Sequence, residues 1–198
     1  MTRHSLRVAL GAALVTAALA ACHTDLPPPP VYPEITFANE PKIRLDVAAI
    51  QVDDQYFPPL KPPNVDHEFP VRIAAVAERW AQDRLQAVGT RGTARVVIKD
   101  ASAVATNLKK SSGLSSVFTN EQSVRYDTQV SMLVEILDQR GGQLAAATAS
   151  AARTRSVPED ITLNQRDKVW FEMTEQLMRD EDAALTKNVL TYMRSYIR

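Results

Sequence analysis

The sequence predicts an α+β fold: a single small mixed sheet, in the order strand, helix, strand, strand, strand, helix, with two helices packed on one face. Three observations carry that expectation. Val124, Tyr126, Thr128, Val130, Met132, Val134 and Ile136 take every second position, interleaved with Arg125, Asp127, Gln129, Ser131 and Glu135, which describes a strand with one buried and one wet face. Ile73, Ala77, Trp80, Ala81, Leu85 and Val88 recur at steps of three and four, the period of an amphipathic helix. The same helical period returns in Val169, Trp170, Met173, Leu177, Ala184, Leu185, Val189, Met193 and Ile197.

The chain opens differently. Arg3 and Arg7 give a positive start, and Val8 to Ala18 is an uncharged run of about a dozen residues. A helix needs about 20 apolar residues to cross a bilayer, so this run is too short to span one and reads as a cleaved leader covering residues 1–21. The only cysteine among 198 residues stands at its end, in Leu19-Ala20-Ala21-Cys22. That tetrapeptide resembles the bacterial lipobox. The resemblance implies cleavage between Ala21 and Cys22, with Cys22 becoming the acylated first residue of a lipid-anchored protein. Several acyl chains on one residue hold a protein permanently where one holds it only marginally. A free thiol in a discarded leader and a leader retained as an anchor are the alternatives, and neither accounts for the lack of any other cysteine. Lipoproteins kept at the inner membrane commonly carry Asp directly after the cysteine. His23 stands there and Asp25 comes later, so the resemblance favours the periplasmic face of the outer membrane.

Without the leader 177 residues remain, enough for one domain with a sizeable core. Arg3 and Arg7 leave and no acid does, so the net charge moves from zero to near −2. Such a balance predicts no nucleic-acid partner and no broad electrostatic attraction to anionic lipid. Residues 22–41 read as a tether, since Pro27 to Pro30 and Pro33 favour a stiff polyproline rise of about 3.1 Å per residue.

The ordered domain, residues 42–198, is expected to open on a strand through Ile43, Leu45, Val47 and Ala49, with a bulge where Ile50 and Val52 shift the phase. Four prolines in the eight residues from Tyr56 to Pro63 exclude helix and central strand, leaving a loop. Tyr56 and Phe57 either lid the core or, with Leu60, form a surface for docking a partner. The first helix is bounded by Pro70 in its first turn and by Gly89 as its stop. Asp66-His67-Glu68 just ahead of it serves the helix cap and dipole better than it serves catalysis. A second strand begins at Arg95-Val96-Val97-Ile98-Lys99 and runs towards Val104, and Asn107 to Asn120 is a polar excursion. Asp138-Gln139-Arg140-Gly141-Gly142 turns the alternating strand into a hairpin whose second arm is Gln143 to Arg155. That arm is rich in alanine, intrinsically helical, yet its Gly-Gly turn and length argue for a strand. Thr162-Leu163-Asn164-Gln165 fits a capping box opening the last helix, whose stripe is interrupted by Arg179-Asp180-Glu181-Asp182, a patch expected either to bend the helix or to face solvent.

Signals for chemistry are sparse. Only His23 and His67 follow the leader, Gly113-Leu114-Ser115-Ser116-Val117 lacks the second glycine of a nucleophile elbow, and no glycine loop cradles phosphate. Three successive acids point different ways around a helix and do not converge on a metal. No enzymatic activity, cofactor or metal is expected. The element order behind a lipobox resembles periplasmic lipoproteins of the lipopolysaccharide-assembly and ABC-transport auxiliary type, most closely from Val124 to Arg155 and from Thr162 onward. The resemblance implies a non-catalytic accessory or docking subunit of a transport or assembly complex. The alternative is a carrier that holds an apolar ligand between helix and sheet. Many lipopolysaccharide-assembly members open on an aromatic-rich segment after the cysteine, whereas this chain carries Pro27 to Pro30 there.

Overall fold

The computed structural model describes residues 31–108, 122–158 and 160–198. The expected leader, Cys22, the Pro27 to Pro30 run and the 109–120 part of the polar excursion lie outside them. In chain order the elements are β1 (Ile43–Leu45), β2 (Ala49–Asp54), a 3-10 turn (Asp66–Glu68), α1 (Ile73–Arg84), β3 (Leu85–Ala87), β4 (Thr93–Asp100), β5 (Ala103–Asn107), β6 (Gln122–Leu137), β7 (Gln143–Pro158), α2 (Leu163–Tyr192) and a 3-10 turn (Arg194–Tyr196). The fold is α+β.

The alternating segment is the spine of the sheet. β6 pairs antiparallel with β7 along one edge, and along the other with β4 near its C-terminal end and β5 near its N-terminal end; β2 adds in parallel to β4. The even-numbered residues Tyr126 to Ile136 of β6 are buried, as the alternation requires. The alanine-rich arm is a strand, because every residue from Ala145 to Val157 gains a ladder partner on β6 and its small side chains let α2 lie close over Ala147 and Ala149. Asp138 builds the hairpin turn: its Oδ1 accepts from the Arg140 and Gly142 amides at 2.7 and 2.8 Å, and Gly141 supplies the left-handed φ of 83° that side chains resist.

The expected first strand is two strands in two sheets. β1 pairs in parallel with β3, whereas β2 joins the main sheet, so the shift of phase marks a change of sheet and not a bulge. α1 also ends earlier than its apolar stripe does: Arg84 is its last residue, and Leu85 to Ala87 turn extended to pair with β1. Gly89 is therefore not a helix stop. A Cβ there would lie 2.4 Å from Asp46 Oδ1 and 2.6 Å from the Asp46 carbonyl carbon, so this position needs close backbone approach. Gly89→Ala is expected to destabilise the fold by about 1–3 kcal/mol through overpacking, read as a lower urea midpoint at unchanged slope. Pro70 likewise precedes the helix, whose N-cap is Arg72, and Asp66-His67-Glu68 forms its own 3-10 turn, giving α1 no side-chain cap. The second strand breaks at Ala101-Ser102, where Asp100 Oδ1 accepts from the Ser102 amide at 3.0 Å and turns the chain from β4 into β5.

The packed chain starts at Tyr32, upstream of Lys42. Ile35 and Phe37, assigned to the tether on proline content, are buried against α1 and α2. Their backbone is held from below: Asp83 Oδ2 accepts from Thr36 Oγ1 at 2.6 Å and from the Phe37 amide at 2.9 Å. Burial alone would raise the Asp83 carboxyl, but those two bonds with Arg79 and Lys42 bring it below the ordinary value.

α2 begins on the expected box, with Thr162 Oγ1 accepting from the Gln165 amide at 3.3 Å and Gln165 Oε1 accepting from the Thr162 amide at 2.9 Å. It runs unbroken for 30 residues through the charged patch. That patch neither interrupts the helix nor faces solvent as a whole. Asp180 Oδ2 accepts from Arg153 Nε on β7 at 2.6 Å, Glu181 is fully buried, and Asp182 turns towards α1. Asp182 Oδ1 accepts from Trp80 Nε1 and from Arg84 Nε, each at 2.7 Å; Arg84 also donates to Thr186 Oγ1 at 2.9 Å and to the Pro41 carbonyl. Arg84 is 4% exposed, so this network clamps α1, α2 and the leading segment in a dry environment.

Candidate functional site

The loop between β2 and α1 carries the residues that the sequence singled out. Both ends are pinned by hydrogen bonds: the Tyr56 amide donates to Asp54 Oδ1 at 3.0 Å, while the Val65 amide donates to the Ala103 carbonyl and the Ala105 amide to the Pro63 carbonyl, each at 2.9 Å. Four prolines stiffen what lies between, and the Pro62-Pro63 bond is cis.

Within that frame the three expected docking residues part company. Tyr56 turns inward, half-buried and packed on the core. Phe57 and Leu60 turn outward, 84% and 64% exposed. Leu60 adopts φ of 55°, a left-handed conformation that costs a non-glycine residue about 1–2 kcal/mol. An exposed aromatic and an exposed leucine thus form an apolar ridge on a stiff loop.

Beneath the ridge is a cavity of about 90 Å³, lined by Tyr56, Asp66, His67 and Arg72 among others. The Tyr56 hydroxyl, Asp66 Oδ1 and His67 Nδ1 are buried there without a hydrogen-bond partner. Burial first and the neighbouring Asp66 second hold the Tyr56 phenol protonated, well above its ordinary range. A volume of that size suits about three water molecules, each able to join such groups. The sequence points to Asp66 as a capping residue, and its nearness to Tyr56 is not legible there because the two line one cavity only once the loop closes.

The interior between helices and sheet is filled. Trp80, Trp170, Met132, Leu177, Met178, Leu185 and Met193 are all under 2% exposed and occupy the layer where a carried ligand would lie. Trp170 stacks on Phe69 at 4.8 Å between ring centroids, meets Tyr126 edge-on at 5.4 Å, and receives the Arg166 guanidinium over its face at 4.2 Å. The larger hollows, of about 460 to 660 Å³, are open surface grooves lined in part by charged side chains such as Arg91, Asp138, Arg155, Glu172, Glu34 and Arg179. Among the described residues no helix is long and apolar enough to cross a membrane, and no three His, Cys, Asp or Glu side chains gather as for a metal. Cys22 and Ala21, the expected lipidation and cleavage positions, lie outside the described residues.

No protein-family model matches the chain, and no curated protein matches its sequence. Among solved structures it is similar to a minor lipoprotein from Acinetobacter baumannii, at 12% identity and a TM-score of 0.37, over 73% of this chain and 94% of that one. A second similarity is to a protein from Xanthomonas campestris of the DUF330 family, at 8% identity and a TM-score of 0.31, over 74% of this chain and 88% of that one. At those scores the likeness carries no role or residue over to this chain.

Proposed function

We propose that the chain is a non-catalytic lipoprotein of the cell envelope, held by acyl chains on Cys22 at the periplasmic face of the outer membrane. In this reading it docks on a protein of a membrane transport or assembly complex. The observation that carries the docking is the pair Phe57 and Leu60, exposed on a loop pinned at both ends. Burying each in a partner would contribute about 1.5–3 kcal/mol, and the stiffness of the loop reduces the ordering cost of binding. The filled interior speaks against a carrier, which needs a cavity of roughly 300–1,000 Å³ for its ligand. The titratable groups near the loop enclose a space of about three waters, too small for most substrates.

One experiment tests anchor and docking separately. The full chain is expressed in a bacterium with a photo-crosslinking residue replacing Phe57, and a fatty-acid probe is supplied. Fatty-acid labelling and membrane fractionation are expected for Cys22 and lost in Cys22→Ala; unchanged labelling in that variant rejects the anchor. A defined protein adduct is expected from position 57 and not from Leu190, which is 49% exposed on α2. Adducts with lipid alone would replace docking by ligand carriage.

A further inference from the structure

Sheet edges are where unpaired backbone invites another chain, and proteins guard them with prolines, charges, bulges or covering loops. Two edges here are guarded. The outer side of β5 is covered by the proline loop, through the Val65 to Ala103 and Ala105 to Pro63 hydrogen bonds. β2 is six residues long and ends in Asp53-Asp54 ahead of Pro58.

Among the described residues no loop is hydrogen-bonded along the outer side of β7, where Asn188 of α2 caps the Thr148 carbonyl. The strand is 16 residues long, pairs with β6 alone, and keeps one register from Ala145 to Val157 without a bulge. Side-chain bonds show which backbone groups point where. The Ala149 and Arg153 carbonyls accept from Ser131 and Thr128 of β6, whereas the Thr148 carbonyl points away and accepts from Asn188 Nδ2 at 2.7 Å. The even-numbered residues Ala146, Thr148, Ser150, Ala152, Thr154 and Ser156 therefore direct their backbone groups outward. The two charges on the strand are neutralised in place, Arg153 by Asp180 at 2.6 Å and Arg155 by Glu172 at 2.7 Å.

From this we infer that the β7 edge pairs with the β7 edge of a second copy of the chain, antiparallel about a two-fold axis at Ser150, joining two sheets into one. A second copy offers an edge of matching length, and pairing at Ser150, in the middle of the 16-residue strand, uses nearly all of it. With Ser150 facing its counterpart, Arg153 lies opposite Ala147 and Arg155 opposite Ala145, so each arginine meets a small residue and no like charges coincide. Thr148 then faces Ala152, Ala146 faces Thr154, and Leu144 faces Ser156. Outward groups meet outward groups at every pair from 146 to 154, giving about ten backbone hydrogen bonds, the number a specific interface carries. The isologous geometry closes at two copies and leaves no further β7 edge free.

Sedimentation of the full chain in detergent is expected to give a dimer. Ser150→Lys and Ser150→Glu, each placing like charges face to face, are expected to weaken it at least tenfold while keeping the native circular dichroism, and an equimolar mixture of the two is expected to restore it. Mild oxidation supplies a readout that does not rely on charge. Cα atoms in a hydrogen-bonded antiparallel pair lie about 5.5 Å apart, within disulfide reach, so Ser150→Cys should form a linked dimer. Ala146→Cys, about 27 Å from its own counterpart in this register, should not, and the unsubstituted chain controls for Cys22. A monomer at all concentrations, an undiminished Ser150→Lys dimer, equal linkage from Ala146→Cys, or linkage of Ser150→Cys to a different protein alone would each overturn the inference.

Discussion

Asp182→Ala is expected to cost about 3–5 kcal/mol of folding stability, because it strands a buried guanidinium. In the native fold Asp182 Oδ1 accepts from Arg84 Nε and Trp80 Nε1. Without it Arg84 keeps only the Thr186 hydroxyl and the Pro41 carbonyl, neither of which carries charge, and the indole N–H has no acceptor. A domain typically has 5–15 kcal/mol to lose, so the variant should unfold at markedly lower urea. Trp80 and Trp170 fluorescence follows the transition. The double variant Arg84→Met/Asp182→Leu should recover most of the loss, since it removes both charges and refills the volume. A single-variant loss below about 1 kcal/mol would show that the pair is solvated in solution and not buried as described.

Glu181 acts in the opposite sense. It is fully buried at the helix–sheet interface, approaches the Met132 backbone without either carboxylate oxygen completing a hydrogen bond, and burial pushes its carboxyl up to about 7. The charged groups beside it on α2 are engaged elsewhere, Asp180 with Arg153 and Asp182 with Arg84. An acid raised in the folded state binds its proton more tightly there than in the unfolded chain. Between pH about 4.5 and about 7 the folded protein keeps a proton that the unfolded chain releases, so stability falls as pH rises through that window. The accumulated cost above pH 7 is about 3 kcal/mol, at 1.36 kcal/mol per pKa unit. Glu181→Gln, uncharged at every pH, is expected to match wild type near pH 4 and to exceed it by about that amount at pH 8. Urea titrations at several pH values measure the difference. Parallel curves for the two proteins would mean that Glu181 ionises freely in the folded state.

These two acids also mark where the sequence stopped being readable. The hairpin was legible because the strand period of two is local and its turn residues are adjacent, and the capping box was legible because Thr162 and Gln165 are three apart. Asp180, Glu181 and Asp182 are neighbours too, but successive helical residues point about 100° apart, and their surroundings are set by residues elsewhere in the chain: Arg153 on β7, Met132 on β6, Arg84 on α1. Charge alone suggested a wet patch. Likewise Leu85 continues the helical period while belonging to a strand, because β1 offers Leu85 to Ala87 a ladder that local spacing does not encode. Tyr56, Phe57 and Leu60 were rightly placed on a loop, yet which of them faced out depended on Asp54 and Ala103 fixing its ends.

The clasp at the end of α1 redefines the smallest piece of this protein that can stand alone. Asp83 grips Thr36 and Phe37, and Arg84 reaches the carbonyl of Pro41, so the residues just ahead of the first strand belong to the fold. Trimming at Lys42 would unroof the apolar surface beneath Ile35 and Phe37 and take an acceptor from an enclosed cation. Traction on the amino end would reach this buckle before any strand of the sheet.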